Sequence, residues 1–255
     1  RQRDAAAEQQ QLAEESLDFL ASFYSAANPD RAQGRNLTAL DLLAEGTERI
    51  ELELADQPRI QSRLYEEVAE TYRRLSQFDR ALDVIDKGLS ATREAYPDDP
   101  NAPLALRMIK ANILRQQGRP EDAAAMYRNI LAVATSGSGT GSETALRARH
   151  NLSITMWQTG RTDSAIDELQ SVLADKIQAA GVDSRTTLVS ASVLVTYLRA
   201  AGQLDEAIAT GERYLPIART ALGKHHSVTL DLETNLALSL GNRDGPAASI
   251  PLLEA

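Results

Sequence analysis

The chain has 255 residues, a formal net charge of −9, no cysteine and three histidines. Without cysteine there is no disulfide framework, no thiolate zinc site and no thiol nucleophile. With acids outnumbering bases and aromatics at 4%, the balance argues against nucleic acid as main partner, because phosphate contacts need clustered Lys and Arg.

The chain carries no apolar run of the ~18 residues that a membrane span needs. It opens on Arg1-Gln2-Arg3, with no initiator Met and no signal-peptide pattern, and so reads as a piece of a longer protein. Leu12, Leu17, Leu20, Phe23 and Tyr24 form the apolar edge of a first helix, ended by the turn residues Asn28-Pro29-Asp30. Thr38 with Asp41 makes a loose capping box for a second helix running to about Leu54, and Pro58 marks the next start. This pair is expected to cap the N-terminal end of the remaining chain.

From residue 59 the sequence repeats. Ala81, Ala123, Ala165 and Ala207 recur every 42 residues, as do Ser76, Gly118, Gly160 and Gly202. The same step joins Leu104, Leu146, Leu188 and Leu230, and joins Asp79, Glu121, Asp163 and Asp205. The units are 59–100, 101–142, 143–184, 185–226 and a partial 227–255. Each reads as two helices. Leu64, Val68, Tyr72 and Leu75 form the apolar stripe of a first helix, and the Ser/Gly column supplies its C-terminal turn. The second helix opens on an acid, favourable at the positive end of the helix dipole, and its Ala column lets the two helices approach closely. The Ser136-to-Gly141 stretch is expected to be a flexible loop within one array, because the 42-residue register runs through it. The last unit drifts, with Gly241-to-Pro246 in place of the tidy turn and Ser249 where Ala is expected.

These columns resemble the tetratricopeptide repeat (TPR), on Tyr65, Val68, Ala69, Tyr72, Ala81, Ile85 and Gly88 in the first unit and Leu194, Val195, Leu198, Gly202, Ala207 and Tyr214 in the fourth. The long period, against a common ~34, and the connector from Ala221 to Leu230 resemble the kinesin light chain-like variant. The resemblance implies an all-α, right-handed α–α superhelix, a TPR solenoid, with an N-terminal helical cap. Residues 1–100 also resemble the region after the membrane helix in bacterial serine/threonine protein kinases with C-terminal TPR arrays. The resemblance rests on Phe19-Leu20, Asn28-Pro29-Asp30-Arg31-Ala32, Leu37-Thr38-Ala39 and Leu54-Ala55-Asp56-Gln57-Pro58. None of the kinase's own motifs is present in this chain. That second resemblance implies residues 1–58 as juxtamembrane and capping helices and residues 59–255 as the array. It implies a transmembrane helix preceding this chain, and a place on the extracytoplasmic (periplasmic) side of the bacterial inner membrane.

No catalytic arrangement and no cofactor motif stands out, so the chain itself is expected not to be an enzyme. His225 and His226 are adjacent and cannot share a helix face as an i, i+4 metal pair does. In TPR arrays the first helices line the concave face, which by resemblance nominates Arg73, Asn112, Arg115, His150, Trp157 and Arg199 as a peptide-binding groove. Arg73, Arg115, Trp157 and Arg199 share one column. Arg suits a carboxylate through its planar fork, and Trp suits an anchor pocket; packing of Trp157 against a neighbouring helix is the alternative. His150 is expected on a surface or groove. Two functions are open: a non-catalytic protein- or peptide-binding sensor domain of a membrane-anchored kinase, or a free-standing cytoplasmic scaffold or peptide-sensing regulator. The expected partner is a protein or peptide ligand, and the fragment is expected to be a monomer or weak dimer.

Overall fold

The computed structural model of the protein describes residues 38–138 and 142–253. Among them every regular element is a helix. In order these are α1 (Ala39–Glu53), α2 (Pro58–Arg74), α3 (Phe78–Ala95), α4 (Leu104–Gln116), α5 (Pro120–Ser138) and α6 (Glu143–Gln158). Then come α7 (Thr162–Ala180), α8 (Arg185–Ala200), α9 (Leu204–Ala221), α10 (Ser227–Asp244), a 3-10 turn (Pro246–Ala248) and the short α11 (Ile250–Leu253). The all-α class expected from the helical periods is what the chain adopts. The helix expected around residues 12–24, the turn after it and the Gly139-Thr140-Gly141 stretch lie outside the described residues. The chain divides into two compact units, one ending at Gln117 and the other beginning at Gly118.

In the first unit α1 opens on a true capping box. The Asp41 amide donates to Thr38 Oγ1 at 3.2 Å, and the Thr38 amide donates to the Asp41 carboxylate at 2.9 Å. The Thr38 hydroxyl, which donates to the Asp41 carboxylate at 2.7 Å, and then the Thr38 amide hold the Asp41 carboxyl below its ordinary value. Pro58 sits in the first turn of α2, where its missing amide costs nothing. The core gathers Leu64, Tyr65, Ala69 and Tyr72 from α2, Ala81, Val84 and Ile85 from α3, and Leu106, Ile109 and Ile113 from α4. At Gly88 of α3 an added Cβ would lie 2.9 Å from Leu106 Cδ1 and 3.0 Å from Tyr65 Cβ. Only a residue without a side chain lets α3 lie that close to both.

The second unit repeats the hairpin as α6–α7 and α8–α9. Gly160 (φ 78) and Gly202 (φ 79) adopt the left-handed conformation at the turns. After them the amides of Arg161 and Gln203 reach back to the carbonyls of Met156 and Leu198, both at 2.9 Å. This is the 6→1 bond of a Schellman cap. Ser142, Ser184 and His226 cap α6, α8 and α10 through side-chain acceptors. His226 is thus a helix cap, its Nδ1 accepting from the Val228 amide at 3.2 Å, and Ser227 takes the first-turn place that tolerates proline. Ala165 and Ala207 are fully buried, like Ala81 and Ala123.

The structure departs from the sequence reading at residues 136–138, and the last repeat departs from its neighbours. Residues 136–138 belong to α5 rather than to a loop. The hydroxyls of Thr135 and Ser136 bond back to the carbonyls of Leu131 at 2.9 Å and Val133 at 2.7 Å, which spends their polar groups inside a helix. In the last repeat α10 runs through Gly241 and Asn242, and the turn falls at Gly245 (φ 93). Leu230 is 45% exposed, whereas its column-mates Leu104, Leu146 and Leu188 are at 2%, 3% and 0%.

Ser76 does the same turn without glycine: φ is 56, and the Gln77 amide still bonds the Tyr72 carbonyl at 2.9 Å. Among the described residues it alone is a non-glycine with positive φ. An L side chain in this conformation costs ~1–2 kcal/mol, offset by the larger unfolded-state entropy of glycine. Ser76→Gly is therefore expected to stabilise the first unit by about 0.5–1 kcal/mol, read as a higher denaturant midpoint at unchanged slope. A lower midpoint would show that the serine side chain supplies something the turn needs.

Candidate functional site

The six nominated residues fall on first helices of both units. In the first unit, Arg73 of α2 is half-buried and committed to its neighbours. Its Nε and Nη2 donate to the Glu70 carboxylate at 2.7 and 2.6 Å, and its Nη1 donates to Gln116 Oε1 of α4 at 3.0 Å. Arg74 Nε adds a third bond to Glu70 at 2.9 Å. Burial pushes the Glu70 carboxyl up, but the two arginines outweigh it and hold the group below its usual value. Asn112 and Arg115 lie half-buried on α4, and Arg115 Nε is buried without a hydrogen-bond partner. Arg73 is thus neutralised locally, so it adds little to a basic face.

In the second unit, α6 carries His150 and Trp157, and α8 carries Arg199. Trp157 is half-buried, its ring stacked on Tyr197 of α8 with centroids 4.1 Å apart and planes 8° from parallel. Such a pair is worth ~0.5–1.5 kcal/mol beyond its area, so Trp157 joins α6 to α8 while part of it stays open. Arg199 Nε donates to Asn235 Oδ1 of α10 at 3.1 Å, and Asn235 Nδ2 is itself held by the Asp231 carbonyl at 2.8 Å. Three consecutive first helices are therefore linked by Trp157, Tyr197, Arg199 and Asn235. Arg147 and Gln158 are exposed on the same helix as Trp157, Ile154 and Thr196 are half-buried, and Leu238 of α10 is 47% exposed. This face mixes an aromatic edge, aliphatic surface and two arginines.

His150 is not a surface residue. It is 9% exposed, and its Nδ1 lies 3.0 Å from Ser190 Oγ of α8. Ser190 in turn accepts from Lys176 Nζ of α7 at 2.9 Å. The sequence reading missed Lys176, Ser190 and Tyr197. Lys176 carried a signal, because a lysine stands where the other repeats have Thr92, Ala134 and Ala218. Tyr197 carried none, since its column was not one of those compared.

The backs of the hairpins hold two open clefts. One, of about 750 Å³, lies between α1 and α3 against Thr47, Glu48, Tyr72, Arg80 and Lys87. The other, of about 350 Å³, lies between α7 and α9 against Leu173, Ile177, Glu206 and Arg213. Among the described residues no three His, Asp or Glu side chains are grouped as a metal site, and no helix is long and apolar enough to cross a membrane.

Residues 104–177 and 187–227 each match a profile of the tetratricopeptide repeat. The chain carries tetratricopeptide repeats. The fold is shared with solved structures of the same kind. One is a protein of Podosopora anserina described as a kinesin light chain with nearly identical TPR-like repeats. It is 20% identical, with a TM-score of 0.62, over 76% of this chain and 93% of that one. Another is BtubC (BKLC) from P. vanneervenii, 16% identical with a TM-score of 0.72, over 86% of this chain and 89% of that one. At such identities the likeness establishes the fold, an α–α superhelix of TPR hairpins. No curated protein matches the chain. TPR arrays are stacked helical hairpins that present surface for protein partners, and the fold is typically non-catalytic.

Each TPR hairpin must also keep its own two helices in register, and in the third repeat a buried arginine does so. Arg149 of α6 donates Nε to Glu168 at 2.6 Å, Nη1 to Asp175 at 2.5 Å and Nη2 to Ser171 at 2.9 Å, all on α7, with its side chain 13% exposed. Removing one partner of such a cluster strands two half-buried carboxylates. Arg149→Met is expected to destabilise the second unit by about 2 kcal/mol, measured by chemical denaturation. A loss below ~0.5 kcal/mol would place the cluster among solvent-screened surface pairs.

Proposed function

We propose that this TPR chain is a non-catalytic protein- or peptide-binding module, and that the first-helix face of its second unit takes the ligand. The observation that carries this reading is Trp157. It is a large aromatic held rigid by Tyr197 yet partly open, with Arg199 on the adjoining helix and exposed aliphatic surface at Leu238. A pre-ordered aromatic loses little entropy on binding, which is why such residues dominate interface energetics. Arg199 donates through Nε to Asn235, and a guanidinium has further N–H groups to offer a carboxylate. The ligand supported best is an extended segment with an apolar side chain beside a carboxylate. Arg73, Asn112 and Arg115 remain candidates on the first unit's own first-helix face.

The wider role we infer is the extracytoplasmic sensor region of a bacterial membrane-anchored serine/threonine kinase. Support comes from the resemblance of residues 1–100, of which 1–37 lie outside the described residues. In that setting the chain is a monomer or weak dimer, brought together by its anchored parent. The gene sequence upstream of Arg1 tests this: an apolar ~20-residue segment preceded by kinase motifs supports it. An upstream region without either supports a free-standing cytoplasmic scaffold or regulator.

Peptide-library selection on the full chain, followed by titration of the selected peptide, tests the face. Trp157→Ala and Arg199→Ala are each expected to weaken binding by about ten- to thirtyfold, with the helical dichroism unchanged. Parent-like binding by both variants would move the ligand elsewhere. A melting temperature lowered by many degrees in Trp157→Ala would assign the ring to packing alone.

A further inference from the structure

At one level of the second unit, three repeat columns bring a lysine, a serine and a histidine together. Ser190 stands in the column of Leu64, Leu106, Ala148 and Leu232, and Lys176 in that of Thr92, Ala134 and Ala218. His150 stands in the column of Glu66, Met108, Ser192 and Thr234. In the fold these three meet. Lys176 Nζ of α7 donates to Ser190 Oγ at 2.9 Å and to the Thr186 carbonyl at 3.2 Å, both on α8. Ser190 Oγ lies 3.0 Å from His150 Nδ1 of α6. Lys176 is 5% exposed, His150 9% and Ser190 0%.

The lysine is a buried cation whose two hydrogen-bond acceptors are neutral. From α6 it faces the repulsion of Arg147 and the attraction of Glu143, with His150 beyond Ser190. From α8 it meets Thr186 and Ser190, and on its own helix the neighbouring Asp175 is taken by Arg149. Burial, then Arg147, pushes its ammonium down to about 8.

Ser190 has one hydroxyl proton to place. While it accepts from Lys176, that proton goes to His150 Nδ1, which requires a neutral imidazole with its hydrogen on Nε2, or to the Thr186 carbonyl at 3.3 Å. Adding a proton at His150 Nδ1 forces the hydroxyl round to Thr186 and puts two cationic donors on one buried oxygen, with Arg147 nearby. The pair therefore holds one proton comfortably and a second only at a cost.

We propose that Lys176, Ser190 and His150 form a one-proton joint between α6, α7 and α8, tightened when mild alkali removes the lysine proton. The direction in alkali is set by linkage. The folded lysine releases its proton near pH 8, below its ordinary 10.5, so the unfolded chain holds more protons in between. Stability rises with pH through that window, and the full cost of the buried cation is present below it. The joint is independent of whether Trp157 contacts a ligand, although α6 carries both.

Thermal melting of the full chain between pH 5.5 and 9.5 tests the joint, using the parent, Lys176→Met and His150→Gln. The parent is expected to melt about 5 °C higher at pH 9.5 than at pH 7. Lys176→Met should melt above the parent at pH 7 and lack the alkaline rise. His150→Gln should keep that rise, because the lysine carries it. Parallel pH profiles for parent and Lys176→Met would overturn the proposal. Should that variant not fold, NMR of the parent with 13C-labelled lysine side chains decides. A Lys176 signal titrating near pH 8 supports the joint, and one titrating above pH 10 overturns it.

Discussion

Close approach of two helices across a column of alanines is the constraint on which this molecule is built. Ala81, Ala165 and Ala207 have no exposed surface, and each stands in the first turns of the second helix of a hairpin. A larger side chain there would separate the helices and open voids that neighbouring leucines cannot fill. Gly88 and Gly211 extend the same economy: an added Cβ would press within about 3.0 Å of Tyr65 and Leu106 in one case and of Leu236 in the other. Tight hairpins in turn fix where first helices lie, and so which of their side chains are left for a partner.

A packed array of this kind has little room for polar groups, and the few inside the second unit are placed with care. Arg149 is surrounded by two carboxylates and a hydroxyl, so its charge is matched. Lys176 has no such match and is held by a carbonyl and a hydroxyl. The two lie on facing helices of one hairpin, and they behave oppositely. One is a pin whose cation keeps its charge, held by its carboxylate partners. The other exchanges stability for proton affinity, because only the desolvated charge titrates near neutrality.

The candidate face was legible in part. Its helices and the helical placement of His150, Trp157 and Arg199 came from the period, because residues 42 apart occupy equivalent positions. Their chemistry did not. Arg73 proved to be spent on Glu70 and Gln116, which a column of arginines cannot reveal. His150 turned inward to meet Ser190, 40 residues away, which in turn accepts from Lys176. The stack of Trp157 on Tyr197 likewise depends on the packing of two separate helices.

The sequence by itself determined the elements. Glycine at the turns, acids at the second-helix starts, serines as caps and alanine at the close approach are local choices, and local rules place them within a residue or two. Even there Ser136 misled, since a hydroxyl that marks a loop by composition also satisfies itself within a helix. What only the tertiary structure decided is the state of each charged or aromatic side chain. Whether Arg199 reaches α10, whether Lys176 is desolvated and whether Trp157 is open depend on atoms brought together from distant repeats. Burial and pairing are properties of those meetings rather than of any one segment.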